Sequence, residues 1–133
     1  MFLRVAHIGI AVNSLSEATR VFTTLFGQSP EYCETVTVQN VNLALYAIGD
    51  SHIELVEPTT SNSPIGDYIK KRGGEIHHVC LEVDDIHQEL ARLKTAGMQL
   101  IDETPRPGAE GTLIAFIHPR STSGVLIELL QRM

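Results

Sequence analysis

The chain contains an internal repeat, and this feature restricts the possible folds more than any other. His7–Val12 (HIGIAV) aligns with His78–Val83 (HVCLEV) at an offset of 71 residues, and Ile53–Leu55 aligns with Ile127–Leu129 at an offset of 74 residues. A difference in loop length would produce the small change between these offsets. A repeated unit that cannot cover its own hydrophobic face has to pair with its copy.

Each copy has the sequence pattern of a β-α-β-β-β unit. In the first copy, Ser14 and Glu17 have the spacing of a capping box that begins a helix, and Gly27 ends that helix. In the second copy, a helix over residues 85–96 ends at Gly97. We predict strands at residues 3–12, 31–38, 41–49 and 52–57 in the first copy, and at 75–83, 98–102, 112–118 and 124–131 in the second.

The two copies, residues 3–57 and 75–131, predict a single α+β domain over residues 1–133. A chain of 133 residues is long enough to bury a hydrophobic core without disulfide bonds. We expect the two β-α-β-β-β modules to pair their curved mixed sheets around one cleft. A short helix over residues 64–72 is expected to link the modules.

Charge and composition argue against several classes of protein. The formal net charge of -6 disfavours nucleic-acid binding. No apolar run approaches the ~20 residues that span a bilayer, and the first residues lack the pattern of a secretion signal. The two cysteines, Cys33 and Cys80, form no disulfide framework and are expected to be reduced. We therefore expect a cytoplasmic protein with no nucleic-acid or membrane partner.

Four polar residues interrupt apolar strand sequences at equivalent positions of the two copies. His7 and His78 lie in the first strand of each copy, and Glu54 and Glu128 lie in the last. Carboxylates are rarely buried without a partner. Two neutral imidazoles and two carboxylates suit a divalent cation, because the carboxylates offset its charge. We therefore predict that these four residues bind one metal ion in the cleft.

Each of these residues also has a simpler interpretation. A single histidine in a strand more often forms a hydrogen bond in the core, and a glutamate in a strand can face solvent at a sheet edge. The symmetric placement of four such residues favours the metal site. Strand alternation places His77 on the face opposite His78. It places Cys80 on the same face as His78, which leaves open a role for Cys80 in lining the site.

Several longer stretches of the sequence resemble one protein superfamily. They are His7–Val12, Ile53–Pro58 (IELVEP), Gly74–His78 (GEIHH), Val83–Ile86 (VDDI), Pro105–Gly108 (PRPG), Ala115–Arg120 (AFIHPR) and Gly124–Leu129 (GVLIEL). Together they resemble the vicinal oxygen chelate superfamily, which includes glyoxalase I and the extradiol dioxygenases. Within that superfamily they are most similar to the methylmalonyl-CoA epimerase family. The resemblance runs from His7 to Gln131.

The resemblance implies a glyoxalase-like fold and an epimerase that interconverts the C2 stereoisomers of methylmalonyl-CoA through an enolate. It implies the metal ligands His7, Glu54, His78 and Glu128 for one divalent ion, with cobalt, zinc, manganese and nickel as candidates. Glu128 is then also the first candidate for the catalytic base that moves the C2 proton. An acyl-CoA substrate and a homodimer are further expectations.

Three positions depart from the family pattern, and the first is Glu54, where some epimerases have glutamine. Leu43 stands where some relatives have a glutamate that has been proposed as a second proton-transfer base. Asn40 replaces glycine in a Gln-Gly-Val segment, and this indicates either a slightly altered turn or a left-handed residue that asparagine tolerates. Since coenzyme A is anionic, basic residues are candidates for contacting it, namely Arg106, Arg120 and the run Lys70–Arg72.

Two other functions are left open by the sequence. Glyoxalase I, the lactoylglutathione lyase, also suits two histidines and two glutamates around a metal. A binding module of the same fold would need neither a metal nor turnover. An extradiol dioxygenase is disfavoured, because its iron site uses two histidines and one carboxylate. The combined stretches of the epimerase family favour the epimerase.

Overall fold

The computed structural model describes the backbone of residues 1–133 and every side chain except that of Arg72. The strands are β1 Phe2–Ala11, β2 Tyr32–Val36, β3 Val41–Ile48, β4 Ser51–Pro58, β5 Ile76–Val83, β6 Arg106–Pro107, β7 Leu113–Ile117 and β8 Ile127–Gln131. The helices are α1 Leu15–Phe26, α2 Pro64–Arg72 and α3 Ile86–Thr95. Elements follow the chain in the order β1-α1-β2-β3-β4, α2, β5-α3-β6-β7-β8. The α+β class and the repeated β-α-β-β-β order are therefore confirmed.

The chain divides into two compact units. Unit 1 consists of residues 1–7 and 78–133, and unit 2 consists of residues 8–77. The boundaries fall inside β1, directly after His7, and inside β5, directly before His78. Both histidines of the predicted metal site therefore belong to unit 1.

Unit 1 has the strand order β1-β5-β8-β7-β6. Strands β5 and β8 are parallel, whereas β8 with β7 and β7 with β6 are antiparallel. Helix α3 begins at Asp85, whose side chain accepts a hydrogen bond from the Gln88 backbone N–H. Its inner face buries Ile86 and Leu90 against Leu129 of β8. This apolar layer holds β5 and β8, the strands that carry His78 and Glu128.

Unit 2 has the strand order β2-β3-β4-β1, with β2, β3 and β4 antiparallel to one another. The Ser14 side chain accepts a hydrogen bond from the Glu17 backbone N–H, so the predicted start of α1 is confirmed. Tyr46 of β3 is fully buried, and its hydroxyl donates to the Thr19 carbonyl of α1. Asn40 has a φ of 55°, so of the two alternatives for this residue the left-handed conformation is the one that occurs.

The strand predicted over residues 98–102 is wrong. This segment forms only an isolated bridge between Leu100 and Ile117. The backbone N–H groups of Ile101 and Asp102 both donate to the Phe116 carbonyl, and the Asp102 carboxylate accepts from the Phe116 N–H. The Asp102 side chain thus takes the place of a backbone acceptor that a regular strand pairing would supply. The strand that pairs with the edge of β7 is β6, further along the chain.

Candidate metal centre

Three strands of unit 1 each contribute one side chain to a buried polar cluster. His7 comes from β1, His78 from β5 and Glu128 from β8. In β5, His78 is buried while the preceding His77 is partly exposed, because successive strand residues face opposite sides of the sheet. We call His7, His78 and Glu128 the donor cluster.

The donor atoms of this cluster all point to one place. His7 Nε2 and His78 Nε2 are 3.0 Å apart. Glu128 Oε1 lies 3.3 Å from His7 Nε2 and 3.1 Å from His78 Nε2. The same carboxylate oxygen therefore faces both imidazoles, and the three atoms form a nearly equilateral triangle.

Glu128 is ionised although its side chain is buried. Burial raises the pKa of its carboxyl, but hydrogen bonds from His7 and His78 outweigh this effect and lower the pKa to about 2. Only 6% of Glu128 is exposed, so little water solvates its charge. The site thus holds a negative charge that a cation can offset.

The other buried carboxylates of unit 1 have a different kind of partner. Glu82 lies 3.1 Å from the Arg132 guanidinium, and Glu89 accepts a 2.9 Å hydrogen bond from Arg92. Both of these glutamates are paired with permanent cations. Glu128 instead faces the imidazoles of His7 and His78. This difference marks the donor cluster as a place where a positive charge can bind.

The spacing of the donor cluster fits a divalent metal ion. An ion about 2.1 Å from each donor places neighbouring donors about 3.0–3.4 Å apart. The three observed separations, 3.0, 3.1 and 3.3 Å, lie in this range. Two imidazoles and one carboxylate suit zinc, cobalt, nickel or iron. His7, His78 and Glu128 can therefore hold such an ion, and only small side-chain movements are needed.

An aromatic side chain that the sequence did not single out borders the cluster. Phe116 of β7 lies directly opposite Glu128 in the antiparallel register, and its ring contacts that of His78 at 6.2 Å between centroids. The Arg106 guanidinium lies over the Phe116 ring at 5.4 Å, and Asp102 lies 3.5 Å from the Arg106 Nε. The Phe116 ring therefore lies between the Arg106 guanidinium and the imidazole of His78.

Glu54, the fourth predicted ligand, lies in unit 2. It is partly buried on β4, opposite Leu45 of β3. Leu43 pairs with Val56, so Leu43 and Glu54 face the same side of these two strands. Leu43 is only 3% exposed and places no ionisable group on that face. The role of Glu54 as a ligand stays a prediction.

The remaining histidines and the basic candidates for contacting coenzyme A are distributed over both units. The ring of His77 contacts Tyr68 at 4.7 Å, while His52 pairs with Glu31 at 2.8 Å. His118 accepts a hydrogen bond from the Arg120 backbone N–H. Exposed side chains of this group are Arg106, Arg120, Lys70, Lys71 and His87, whereas the side chain of Arg72 lies outside the described residues. An anionic molecule in solvent can therefore reach the four exposed arginine and lysine side chains of this group.

Comparison with known proteins identifies the family of this chain. The sequence pattern of the Glyoxalase/Bleomycin resistance protein/Dioxygenase superfamily matches residues 6–116. The chain belongs to this superfamily. This membership confirms the resemblance that the sequence motifs indicated. The donor cluster of the chain contains three of the four residues predicted as metal ligands.

Two proteins of similar sequence cover almost the whole chain. The uncharacterized protein YqjC of Bacillus subtilis is 41% identical over 128 residues, which are 96% of this chain and 91% of YqjC. The mitochondrial methylmalonyl-CoA epimerase of Dictyostelium discoideum is 36% identical over 127 residues, which are 95% of this chain and 76% of that enzyme. The chain is therefore homologous to an enzyme named as an epimerase.

A solved structure extends the similarity to three dimensions. It is a variant of the Streptomyces coelicolor methylmalonyl-CoA epimerase in complex with 2-nitronate-propionyl-CoA. The TM-score is 0.92 and the identity 29%, and the match covers 98% of this chain and 95% of that one. The predicted glyoxalase-like fold is confirmed by this agreement.

Among the described residues, no helix is both long and apolar enough to span a membrane. The predicted homodimer and the predicted cytoplasmic location stay predictions.

Proposed function

We propose that this protein is a metal-dependent epimerase that interconverts the C2 stereoisomers of methylmalonyl-CoA. The convergence of His7, His78 and Glu128 in a superfamily member supports this proposal most strongly. The similarity to a named epimerase and to a structure that holds an acyl-CoA analogue supports the substrate class.

The reaction begins with the removal of a weakly acidic hydrogen. C2 of methylmalonyl-CoA lies between a thioester and a carboxylate, and loss of its proton leaves negative charge on the thioester oxygen. His7, His78 and Glu128 would hold the metal, with Glu54 as the predicted fourth ligand. A bound divalent ion supplies Lewis-acid stabilisation of that charge, worth several kcal/mol.

Glu128 is the proposed base. In this role its carboxylate accepts the C2 proton, so that the C2–H bond breaks and an O–H bond forms on Glu128. Return of that proton from Glu128 to the same face of C2 restores the starting stereoisomer. Inversion therefore requires that a second donor protonate the opposite face while Glu128 releases its proton to solvent. Because residue 43 is leucine, this donor is water or a group other than residue 43.

The apolar residues around the cluster strengthen its electrostatic interactions. Ala6, Ile114 and Leu130 are buried together beside the donor cluster, with Phe116 packed against them. Charges interact more strongly where water is excluded. We infer that this apolar layer keeps the donor atoms oriented and limits solvation of the developing charge.

Isotope exchange tests the proposed function. In deuterated water, the protein is expected to incorporate deuterium at C2 of methylmalonyl-CoA and to interconvert the two stereoisomers. A chelator should abolish both activities, and a divalent ion should restore them. Chelator-resistant exchange would contradict the metal dependence. The formation of lactoylglutathione from methylglyoxal and glutathione, without exchange at C2, would instead identify a glyoxalase I.

Arg106 is expected to bind the anionic part of the substrate. Arg106→Gln should raise KM for methylmalonyl-CoA about 10-fold, because a hydrogen bond to a charged group contributes about 1.5 kcal/mol or more. It should leave kcat nearly unchanged, since the guanidinium acts on binding rather than on the C2 proton. Steady-state kinetics measure both quantities.

Lys94→Gln provides a control for Arg106→Gln, because Lys94 is an exposed cation of the same unit that pairs with Glu103. A fall in kcat at constant KM in Arg106→Gln would contradict the binding role. A thermal melt checks that the loss of the Asp102 and Phe116 contacts leaves the protein folded.

A further inference from the structure

Cys80 lies beside Glu128 in the core of unit 1. The two residues are partners in the parallel register of β5 and β8, and Phe116 lies on the other side of Glu128. Cross-strand partners face the same side of a sheet, so Cys80 and Glu128 project together. Cys80 also shares the face of His78, two residues earlier on β5.

The Cys80 sulfur is close to ligand atoms of two members of the donor cluster, His7 and Glu128. One ligand atom each from His7, Cys80 and Glu128 lies within 4.8 Å of the other two, and all three residues are buried. Metal donors on opposite sides of an ion are up to about 4.4 Å apart when nitrogen or oxygen lies about 2.1 Å and sulfur about 2.3 Å from the ion. A small side-chain shift therefore brings all three atoms within bonding range of one ion.

We propose that Cys80 is an additional ligand of the metal, which makes the centre a mixed nitrogen, oxygen and sulfur site. This inference rests on the proposed metal dependence. When the metal–sulfur bond forms, the thiol S–H bond breaks and its proton passes to solvent, with no change in oxidation state. Thiolate ligands favour zinc and other soft ions over manganese and magnesium. The site thus selects zinc or cobalt.

Cobalt spectroscopy tests the sulfur ligand directly. The full-length protein loaded with Co²⁺ is expected to show a near-ultraviolet charge-transfer band from thiolate to cobalt, in addition to the visible cobalt bands. Cys80→Ala should lose the charge-transfer band and keep the visible bands. Cys33→Ala is the matched control, because Cys33 is an exposed cysteine of unit 2, and it should keep both.

The outcomes separate this inference from the proposed function. Visible cobalt bands without a charge-transfer band in the wild-type protein would refute the sulfur ligand and leave the metal site intact. No cobalt binding at all would overturn both proposals. A charge-transfer band that survives in Cys80→Ala would assign the sulfur to another residue and also refute the inference.

Metal selectivity gives a second readout that does not depend on turnover. Competition titrations should show that Cys80→Ala weakens Zn²⁺ binding by about 10-fold or more while Mn²⁺ binding changes little. Equal losses for both ions would indicate that Cys80 acts only through packing. Cys80→Ser, which nearly preserves the side-chain volume, should show the same selective loss, and thermal melts of the metal-free variants check that each is folded.

Discussion

Replacing Glu128 with glutamine is expected to slow deuterium incorporation at C2 by about 100- to 10,000-fold, the range for loss of a general base. The amide cannot accept the C2 proton, although its oxygen can still contact a metal ion. The buried position of Glu128 makes replacement by bulk water difficult, because only 6% of the residue is exposed. The effect should appear mainly in kcat.

Exchange rates and metal content have to be measured on the same Glu128→Gln preparation. Glu103→Gln is the control, since Glu103 is an exposed carboxylate of unit 1 whose partner is Lys94. It should exchange at the wild-type rate. If Glu128→Gln retains both its metal and nearly full exchange, the proton-transfer role is wrong and another group is the base.

Replacing His78 with alanine is expected to weaken metal binding by at least about 100-fold. Removing a residue that only hydrogen-bonds to a metal ligand already weakens binding by up to about 100-fold, and removing the ligand itself should cost at least as much. His78 contributes the nitrogen that lies 3.0 Å from His7 Nε2 and 3.1 Å from Glu128 Oε1. Without it, the cluster keeps two described donors. Titration against a competing chelator measures the affinity.

His87→Ala is the matched control for His78→Ala, because His87 is an exposed histidine of the same unit. In the wild-type protein, metal at 100 times its Kd should stabilise the fold by about 2.7 kcal/mol. Thermal melts with and without metal should show this gain for His87→Ala and show almost none for His78→Ala. Equal metal-induced shifts in the two variants would exclude His78 as a ligand.

The local elements of this fold were predictable because their signals are local. The Ser14 cap, the helix end at Gly27 and the left-handed Asn40 each depend on a few neighbouring residues, and all three agree with the structure. The repeat added the order of the elements. Capping and turn preferences act through backbone hydrogen bonds within a few residues, so one sequence is enough to recognise them.

The strand predicted over residues 98–102 failed for a reason that lies elsewhere in the chain. Its apolar residues have strand propensity, yet the Asp102 carboxylate accepts the Phe116 N–H that a regular ladder would use. A competing side-chain acceptor becomes visible only after distant segments are brought together. The positions of Phe116 and Arg106 beside the cluster were hidden for the same reason.

The sequence by itself identified the candidate metal ligands, because histidine and glutamate recur at equivalent positions of the two copies. An ionisable side chain inside an apolar strand needs a compensating partner, whatever the strand packs against. Pairing between distant strands then placed His7, His78 and Glu128 within 3.3 Å of one another. It also placed Cys80 next to Glu128 through the parallel register of β5 and β8. Strand register depends on long-range hydrogen bonds and packing, and a linear pattern does not encode those contacts.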